Sequence, residues 1–188
     1  MGKRKFEFAR KVVNGEKLEE KAFPEAQIPV YMTKNSAGCD FFCAETIKVP
    51  CMRKASSIAT PVGAGGMGMI IGRGNIVSNF KPTLVHTGIK ADMQLDVVLR
   101  LYNRSSNPKR GLVLANGVGV IDADYYNNES NDGEIMFAFY NISDEDITIK
   151  AGERIGQGIF EAILRPEEGE IRIADDERKG GFGSTGKD

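Results

Sequence analysis

The sequence predicts an all-β domain of the sandwich or barrel type. Short apolar runs rich in β-branched and aromatic residues recur about every 8 to 12 residues, a spacing typical of such folds. The clearest run, residues 95–102, leads directly into the turn-forming sequence Asn-Arg-Ser-Ser-Asn-Pro. No helical period longer than about two turns is found. At 188 residues the chain fits one domain that buries about 70% of its unfolded surface. This is enough for a hydrophobic core that needs no disulfide or metal to hold it together.

The predicted elements divide the chain into three parts. Residues 1–24 form an N-terminal extension, in which Asn14-Gly15 is a hairpin-turn dipeptide, so we expect an edge hairpin there. Residues 25–174 form the β domain, and residues 175–188, charged and glycine-rich, are expected to be a flexible C-terminal lid. The strands predicted in the domain are residues 28–31, 46–49, 83–89, 95–102, 134–140, 147–149 and 155–164.

A glycine-rich segment interrupts the β pattern at about residues 52–81. Its G-x-G-G-x-G sequence superficially satisfies the dinucleotide-binding fingerprint, but no strand precedes it and no helical pattern follows it. We therefore interpret the segment as an insertion with a short hairpin formed by residues 69–71 and 75–77. Long loops of this kind often bind partners, so a protein partner at the insertion is kept as an alternative.

The charge balance argues against several classes of partner. The chain has 25 basic and 26 acidic residues and a net charge of −1, so we expect no general attraction to nucleic acid or to an anionic membrane. No run of 18 apolar residues occurs, and the basic start lacks the apolar core of a secretory signal. We expect a cytoplasmic location.

We expect the cysteines and the single histidine to have structural rather than chemical roles. Cys39, Cys43 and Cys51 are not at zinc-finger spacing, and although a C-x3-C pair with His86 could in principle hold a metal, we expect reduced, buried thiols. His86 could be a general base, but its place within a predicted strand favours packing or solvation on a sheet face.

The central stretch of the chain is residues 116–134, which contains two acids and two tyrosines. The apolar run 118–121 leads into Asp-Ala-Asp-Tyr, and a continuing strand would place both carboxylates on one face and Tyr125 on the other. A carboxylate at the mouth of a pocket can accept a proton from water or bind a metal, and a tyrosine ring can stack on a sugar or a base. The alternative is a polar hairpin end with Asp and Asn as turn formers.

Arg104-Ser105-Ser106 follows the clearest strand and precedes Asn-Pro. A guanidinium beside hydroxyl and backbone N–H donors in a turn is suited to binding phosphate. The alternative is a simple turn with a helix N-cap, leading through a short helical turn at residues 109–111.

These segments together resemble the motifs of the trimeric dUTP pyrophosphatases, or dUTPases. The resemblance covers about residues 25–188 except the insertion, and its five motifs occur in the family's order. They are Ala37-Gly38-Cys39-Asp40, Arg104-Ser105-Ser106, residues 116–125, Gly152-Glu153-Arg154-Ile155-Gly156-Gln157 and the Gly-Gly-Phe-Gly-Ser-Thr-Gly of residues 180–186. The resemblance implies a jelly-roll-like β-barrel or sandwich whose active sites are shared between subunits of a homotrimer.

The resemblance also implies a function and a set of site residues. The implied reaction is hydrolysis of dUTP to dUMP and pyrophosphate, which limits uracil in DNA and supplies dUMP for dTMP synthesis. Asp122 is the implied base, and Asp40 lies near a Mg²⁺ cofactor that it contacts through water. The implied phosphate-binding residues are Arg104, Ser105, Ser106, Gln157, Arg178, Ser184 and Thr185. The implied uracil and deoxyribose residues are Asn116, Gly119, Ile121, Tyr125 and Phe182.

The chain departs from the family pattern at Cys39, where the family usually has an aromatic or another residue, in the loop after Tyr125 and in the tail. After Tyr125 the loop to Glu134 is several residues longer than the family's common Tyr-Arg-Gly-Glu turn. In the tail, Glu177 stands where the family has an arginine, so the γ-phosphate contact is assigned to the neighbouring Arg178. The family's tail closes over nucleotide in a neighbouring subunit's site, where Phe182 would stack on the base.

Two other functions are carried as alternatives. dCTP deaminases share the fold and most of the motifs, and product analysis separates the two because deamination releases ammonia rather than pyrophosphate. The other alternative is a nucleotide-switched regulator that binds a protein through the insertion, which a pull-down with and without residues 52–81 would test.

Overall fold

The computed structural model describes residues 4–55, 76–78 and 81–166. Within these residues no α-helix occurs, and no helix is long and apolar enough to cross a membrane. The strands are β1 (Lys5–Phe8), β2 (Arg10–Val13), β3 (Glu16–Lys21), β4 (Cys39–Phe42), β5 (Ile47–Val49), β6 (Arg53–Ala55), β7 (Ile76–Ser78), β8 (Thr83–His86), β9 (Ile89–Asp92), β10 (Val97–Asn103), β11 (Leu112–Leu114), β12 (Gly119–Ile121), β13 (Met136–Asn141), β14 (Ile147–Ile149) and β15 (Arg154–Ala162). Two 3₁₀ turns, η1 (Pro108–Arg110) and η2 (Ala123–Tyr125), complete the secondary structure of the described residues.

Two antiparallel sheets form the body of a jelly-roll-like sandwich, which confirms the predicted fold class. The first sheet has the order β12-β10-β15-β4, and the second has the order β11-β13-β8. Most of these neighbours are distant in sequence, as in the pairing of β4 with β15. The shorter pairs β1 with β9 and β5 with β14 extend this framework.

Glycines on β15 allow aromatic side chains to pack tightly in the core. A Cβ atom on Gly156 would lie 1.9 Å from a ring carbon of Phe137 in the second sheet, and one on Gly158 would lie 2.5 Å from the ring of Phe41. Both rings are buried, with their centroids 5.6 Å apart. The glycines in and beside the fourth motif therefore serve the packing of the core, because any side chain there would displace an aromatic ring.

The N-terminal residues are joined to the β domain. β1 pairs with β9, and the Phe6 ring lies 5.3 Å from both Phe41 and Phe160, measured between centroids. Asn14 and Gly15 have φ angles of 52° and 84° and form the turn between β2 and β3, as their sequence predicts.

Three predicted strands differ from the structure. The predicted strand 83–89 is divided between β8 and the start of β9, because Gly88 between them has a φ of 65°. Residues 28–31 contribute only one bridge, between Val30 and Asp40. β7 overlaps the predicted strand 75–77, but it pairs with β6 at the other end of the glycine-rich segment. The predicted partner, residues 69–71, lies outside the described residues. The pairing of β6 with β7 brings the two ends of this segment together.

Candidate active site

One pocket brings together the nucleoside residues predicted within the described part of the chain. It lies between β12 and β13, with Leu101 of β10 and Phe137 of β13 in its wall. A Cβ atom on Gly119 would lie 3.0 Å from the Cβ of Leu101, so a larger residue would press against that wall. The predicted residues that line the pocket are Asn116, Gly119, Ile121 and Tyr125. We call it the nucleoside pocket, after the contacts predicted for these residues.

The path of the chain after β12 differs from the sequence prediction. The strand was expected to continue through Tyr125, but β12 ends at Ile121 and η2 follows. The carbonyl of Asp122 accepts a hydrogen bond from the amide of Tyr125 over 3.1 Å, which turns the chain. The predicted separation of side chains is still obtained, because Asp122 and Asp124 are exposed whereas Tyr125 is buried.

Tyr125 is held from two sides. Its hydroxyl donates to the carbonyl oxygen of Glu134 over 2.9 Å and accepts a hydrogen bond from the side-chain amide of Asn131 over 2.8 Å. Both partners belong to the loop that is longer than the family pattern. The ring that faces the pocket is therefore positioned by this loop, which the sequence analysis did not identify as a support.

Asp122 does not line the nucleoside pocket of its own chain. It lies with Asp124 at a second pocket, whose other walls come from the start of β10 and from Arg165. The role of Asp122 as a base remains a prediction.

A second set of predicted residues meets where β4, β15 and β10 lie side by side. Asp40 on β4 is buried, and its carboxylate accepts hydrogen bonds over 3.0 Å from Gln157 Nε2 and from the guanidinium of Arg154. Arg104, which follows β10, places Nε 3.9 Å from the same carboxylate and donates to the carbonyl of Arg154 over 3.0 Å. We call Asp40, Arg104, Arg154 and Gln157 the arginine cluster.

Arg154 is a member of this cluster that the sequence analysis missed. It lies in the quoted fourth motif, but no role was assigned to it. The pairing of β15 with β4 shifts register between Arg154 and Gly156. Because of this irregularity, simple alternation along the strand does not predict that Arg154 and Gln157 reach the same carboxylate.

The turn after Arg104 exposes two hydroxyls and buries an amide. Ser105 and Ser106 are exposed, while Asn107 is buried and donates over 2.7 Å to Asn103 Oδ1 and to the carbonyl of Ile155. Asn107 therefore fixes the turn to β10 and β15. The sequence analysis placed this residue only within a turn-forming sequence. The sequence feature that could have identified Asn107 is its place directly before a proline, a position typical of turns.

The side chains present can be compared with the ligands that the Mg²⁺ ion implied by the resemblance would need. Within the described residues, no group of three or more His, Cys, Asp or Glu side chains could cage a metal. Asp40 is already bonded to Arg154 and Gln157. Since Mg²⁺ commonly keeps several waters and binds substrate phosphates, this donor set fits an ion carried by phosphates and reached by Asp40 through water.

The single histidine has a partner that the sequence did not indicate. His86 Nδ1 lies 3.1 Å from both carboxylate oxygens of Glu134, and its ring packs on Phe23 with centroids 4.7 Å apart. The hydrogen bond with Glu134 raises the pKa of His86. Glu134 also accepts a hydrogen bond from the amide of Gly88 over 2.9 Å. His86 thus anchors the end of the loop that supports Tyr125.

The cysteines have the state that the sequence predicts. Cys39, Cys43 and Cys51 are free and buried. Burial raises the pKa of Cys39 and of Cys43 to about 11, so both are thiols at neutral pH.

The remaining predicted contacts are placed as follows. Within the described residues, none of Asp40, Arg104, Ser105, Ser106 and Gln157 lines the nucleoside pocket. The tail residues Arg178, Phe182, Ser184 and Thr185 lie outside the described residues.

Among solved structures, this sandwich is similar to dUTPases. The crystal structure of the Streptococcus mutans dUTPase has a TM-score of 0.60 and 33% identity, and the match covers 86% of this chain and 98% of that one. A dUTPase of Staphylococcus aureus phage phi11 matches with a TM-score of 0.57 over 93% of this chain and 98% of that one, and at 15% identity it supports the fold alone.

The chain belongs to the dUTPase family. The family model matches residues 63–186, beginning inside the glycine-rich segment. The deoxyuridine 5'-triphosphate nucleotidohydrolase of Lactococcus lactis subsp. lactis (strain IL1403) is 41% identical over 163 residues, which cover 85% of this chain and 87% of that protein. The protein of the same name from Wolinella succinogenes is 29% identical over 170 residues, covering 89% of this chain and 91% of that protein. The resemblance inferred from the five motifs is confirmed.

Proposed function

We propose that this protein hydrolyses dUTP to dUMP and pyrophosphate. The observation that carries the proposal is the pocket in which Asn116, Gly119, Ile121 and Tyr125 meet. It is supported by membership of the dUTPase family and by relatives named as nucleotidohydrolases of deoxyuridine triphosphate. In the cell, the reaction would limit uracil in DNA and supply dUMP for dTMP synthesis.

The pocket selects the nucleoside by shape and hydrogen bonding. Asn116 and the backbone of β12 bind the uracil edge, in a pocket too tight for the methyl group of thymine. The ring of Tyr125 lies against the deoxyribose, where a ribose 2′-hydroxyl would collide. Because the hydroxyl of Tyr125 is bonded to Glu134 and Asn131, the ring cannot easily move away.

The reaction is a direct attack of water on the α-phosphorus. Asp122 orients the water and accepts its proton, a bond forms from the water oxygen to the α-phosphorus, and the bond to the α,β-bridging oxygen breaks to release pyrophosphate. No covalent intermediate is needed. The residues that stabilise charge on the phosphate oxygens are Arg104, Ser105, Ser106, Gln157 and, from the tail, Arg178, Ser184 and Thr185.

A bound Mg²⁺ ion would supply charge neutralisation on the triphosphate, with Asp40 reaching it through water. The donor set of the arginine cluster supports this arrangement, because Asp40 is directed by Arg154 and Gln157 and no described group of acids would cage the ion. The structure of the phage phi11 dUTPase is reported to contain a coordinated structural Mg(II) ion.

We further propose a homotrimer in which subunits share each active site. Within the described residues, the arginine cluster does not line the nucleoside pocket, and Asp122 lines a different pocket from Tyr125. A complete site can therefore combine groups from more than one chain, with Phe182 of the tail stacked on the base. The solved structure of a mutant of the Staphylococcus bacteriophage 80alpha dUTPase, which is similar to this chain in fold, is described as containing dUpNHpp.

The experiment that tests the function is an assay of pyrophosphate release with dUTP, dCTP, dTTP and UTP. We expect strong preference for dUTP. Release of ammonia from dCTP would instead indicate a deaminase. Absence of turnover with all four nucleotides, together with protein capture that depends on residues 52–81, would favour the regulatory alternative. The cytoplasmic location remains a prediction from the sequence.

A further inference from the structure

Asp132 is a buried carboxylate that the proposed reaction does not use. It lies in residues 126–133, which we call the pocket loop, and its side chain is fully buried. Its oxygens lie 2.7 Å from Lys90 Nζ and 3.2 Å from Lys17 Nζ. The backbone amide of Arg10 donates over 2.8 Å, and its guanidinium adds two contacts at 3.3 Å.

Two of these cations come from the N-terminal hairpin. Arg10 lies on β2 and Lys17 on β3, more than one hundred residues before Asp132 in the chain. Lys17 Nζ also donates to the backbone carbonyl of Asn127 at the start of the pocket loop. Lys90 on β9 donates over 2.5 Å to the side chain of the same asparagine. The hairpin and β9 therefore hold the pocket loop at two positions.

The pocket loop is in direct contact with Tyr125. Asn131, next to Asp132, donates to the Tyr125 hydroxyl over 2.8 Å. Gly133, on the other side of Asp132, is so close that a Cβ atom there would lie 2.6 Å from the Tyr125 carbonyl oxygen. The amide of Asn128 closes the loop on that carbonyl over 3.3 Å. Displacing Asp132 would thus displace two residues that touch the tyrosine.

The charged groups around Asp132 make this arrangement sensitive to the loss of any one of them. A buried carboxylate is stable only when it is paired and hydrogen-bonded, since breaking such a pair leaves an uncompensated charge. Burial opposes ionisation of Asp132, but the hydrogen bonds from Lys90, Arg10 and Lys17 outweigh it and lower its pKa to about 2. The carboxylate is therefore ionised at neutral pH, and the hairpin holds it by charge-assisted hydrogen bonds.

We propose that the N-terminal hairpin is a positioning device for sugar recognition, in which Arg10 and Lys17 hold Asp132 and so keep Tyr125 against the deoxyribose. The inference rests on the proposed function, because it assigns the sugar contact to Tyr125. Arg10, Lys17 and Asp132 are positioning residues that act through the pocket loop. The pocket loop and the N-terminal hairpin thus form one structural unit in this chain.

The test compares two matched lysines of the same hairpin. Lys17→Gln removes a contact with Asp132, whereas Lys11→Gln is the control, because Lys11 pairs with Glu20 inside the hairpin. The double variant Arg10→Gln with Lys17→Gln strengthens the perturbation and leaves Lys90 in place. Two properties are measured: kcat and KM for dUTP and for UTP, and amide hydrogen exchange of the pocket loop.

We expect the double variant to raise KM for dUTP by about tenfold while kcat changes less than about threefold. The ratio of kcat/KM for dUTP to that for UTP should fall by about tenfold, and exchange in the pocket loop should become faster. Lys11→Gln should behave as the unchanged protein. Lys17→Arg, which keeps the charge, should retain most of the preference for dUTP.

Three results would overturn the inference. Unchanged exchange would mean that the hairpin does not hold the loop. Faster exchange with kcat/KM unchanged for both nucleotides would mean that the loop does not position Tyr125. Faster exchange with an equal loss of kcat/KM for both nucleotides would indicate a general effect on folding. Failure of the proposed function is seen separately, as absence of pyrophosphate release by the unchanged protein. The proposed role of Tyr125 at the sugar would then fall as well. Amide hydrogen exchange would still decide whether the N-terminal hairpin holds the pocket loop.

Discussion

Asp40 and Gln157 lie directly opposite each other on the antiparallel strands β4 and β15, and Gln157 Nε2 donates to Asp40 Oδ1 over 3.0 Å. Opposed residues project on the same face of a sheet, so this pairing brings the first and fourth motifs together. The other carboxylate oxygen accepts from Arg154. A single buried carboxylate therefore orients Gln157, one of the groups proposed to meet the triphosphate, together with Arg154.

We predict that Asp40→Asn lowers kcat/KM for dUTP by about 10- to 100-fold, because charge-assisted hydrogen bonds contribute about 1.5–3 kcal/mol each. Steady-state kinetics at saturating Mg²⁺ measures the effect. The control is Asp146→Asn, which removes a carboxylate bonded to Lys48 and to the amide of Cys51 instead. Equal losses in the two variants would contradict a specific role for Asp40.

Asp122→Asn should retain nucleotide binding but lower turnover by at least about a hundredfold, the scale of losing general-base help. Single-turnover kinetics together with dUMP binding separates the two effects. Asp124→Asn is the matched control, since Asp124 is exposed in the same 3₁₀ turn and lines the same second pocket. Near-normal turnover by Asp122→Asn would show that another group activates the water.

The stability of the protein in acid should depend on Asp132. Its pKa is lowered from 3.8 to about 2, so its stabilising contribution is present above about pH 4 and is lost as the pH falls toward 2. At pH 7, Asp132→Asn should reduce the free energy of unfolding by about 3–5 kcal/mol, because buried cations such as Lys90 lose their partner.

Urea unfolding at pH 7, 4 and 2.5 tests this prediction. The loss of stability between pH 4 and 2.5 should be smaller in Asp132→Asn than in the unchanged protein. Asp144→Asn, at an exposed position, is the control and should hardly change the free energy of unfolding at pH 7. Parallel profiles for all three proteins would show that Asp132 has an ordinary pKa.

We predict a homotrimer in solution, since the described part of one chain does not gather the proposed site residues in one pocket. Light scattering at micromolar concentration should give three times the chain mass of 20.5 kDa. The monomer mass under these conditions would reject shared active sites.

Deleting residues 180–188 removes Phe182, Ser184 and Thr185 but none of the strands β1 to β15. Thermal stability should therefore hardly change, whereas turnover of dUTP should fall steeply, because closure over nucleotide excludes water and brings donors to the phosphates. Calorimetry and pyrophosphate release measure the two properties. An unchanged rate, or a melting temperature lower by tens of degrees, would contradict the lid.

The position of the aromatic ring can be tested within the same tail. Phe182→Ala should reproduce much of the deletion's loss, because base stacking contributes about 1–3 kcal/mol. Phe182→Trp is the matched variant and should keep most activity. As the chain has no tryptophan, its fluorescence would report closure on dUMP or on a non-hydrolysable dUTP analogue.

The sequence by itself determined the β class and the order of the five motifs, because these depend on local patterns. Strand periodicity and turn residues such as Asn14-Gly15 are encoded by neighbours in the chain. The run from Asn116 to Tyr125 is also local, and its residues Asn116, Gly119, Ile121 and Tyr125 line one pocket, whereas Asp122 lines another.

Only the tertiary structure decided which distant groups meet. Gln157 and Asp40 are 117 residues apart, and Arg10 and Asp132 are 122 apart, so their contacts depend on strand pairing and register rather than on local preference. The register shift at Arg154 likewise belongs to the pairing of β15 with β4. The alternation of side chains along a strand specifies which residues share a face of the sheet. Only the folded sheet specifies which residue of the neighbouring strand lies opposite each of them.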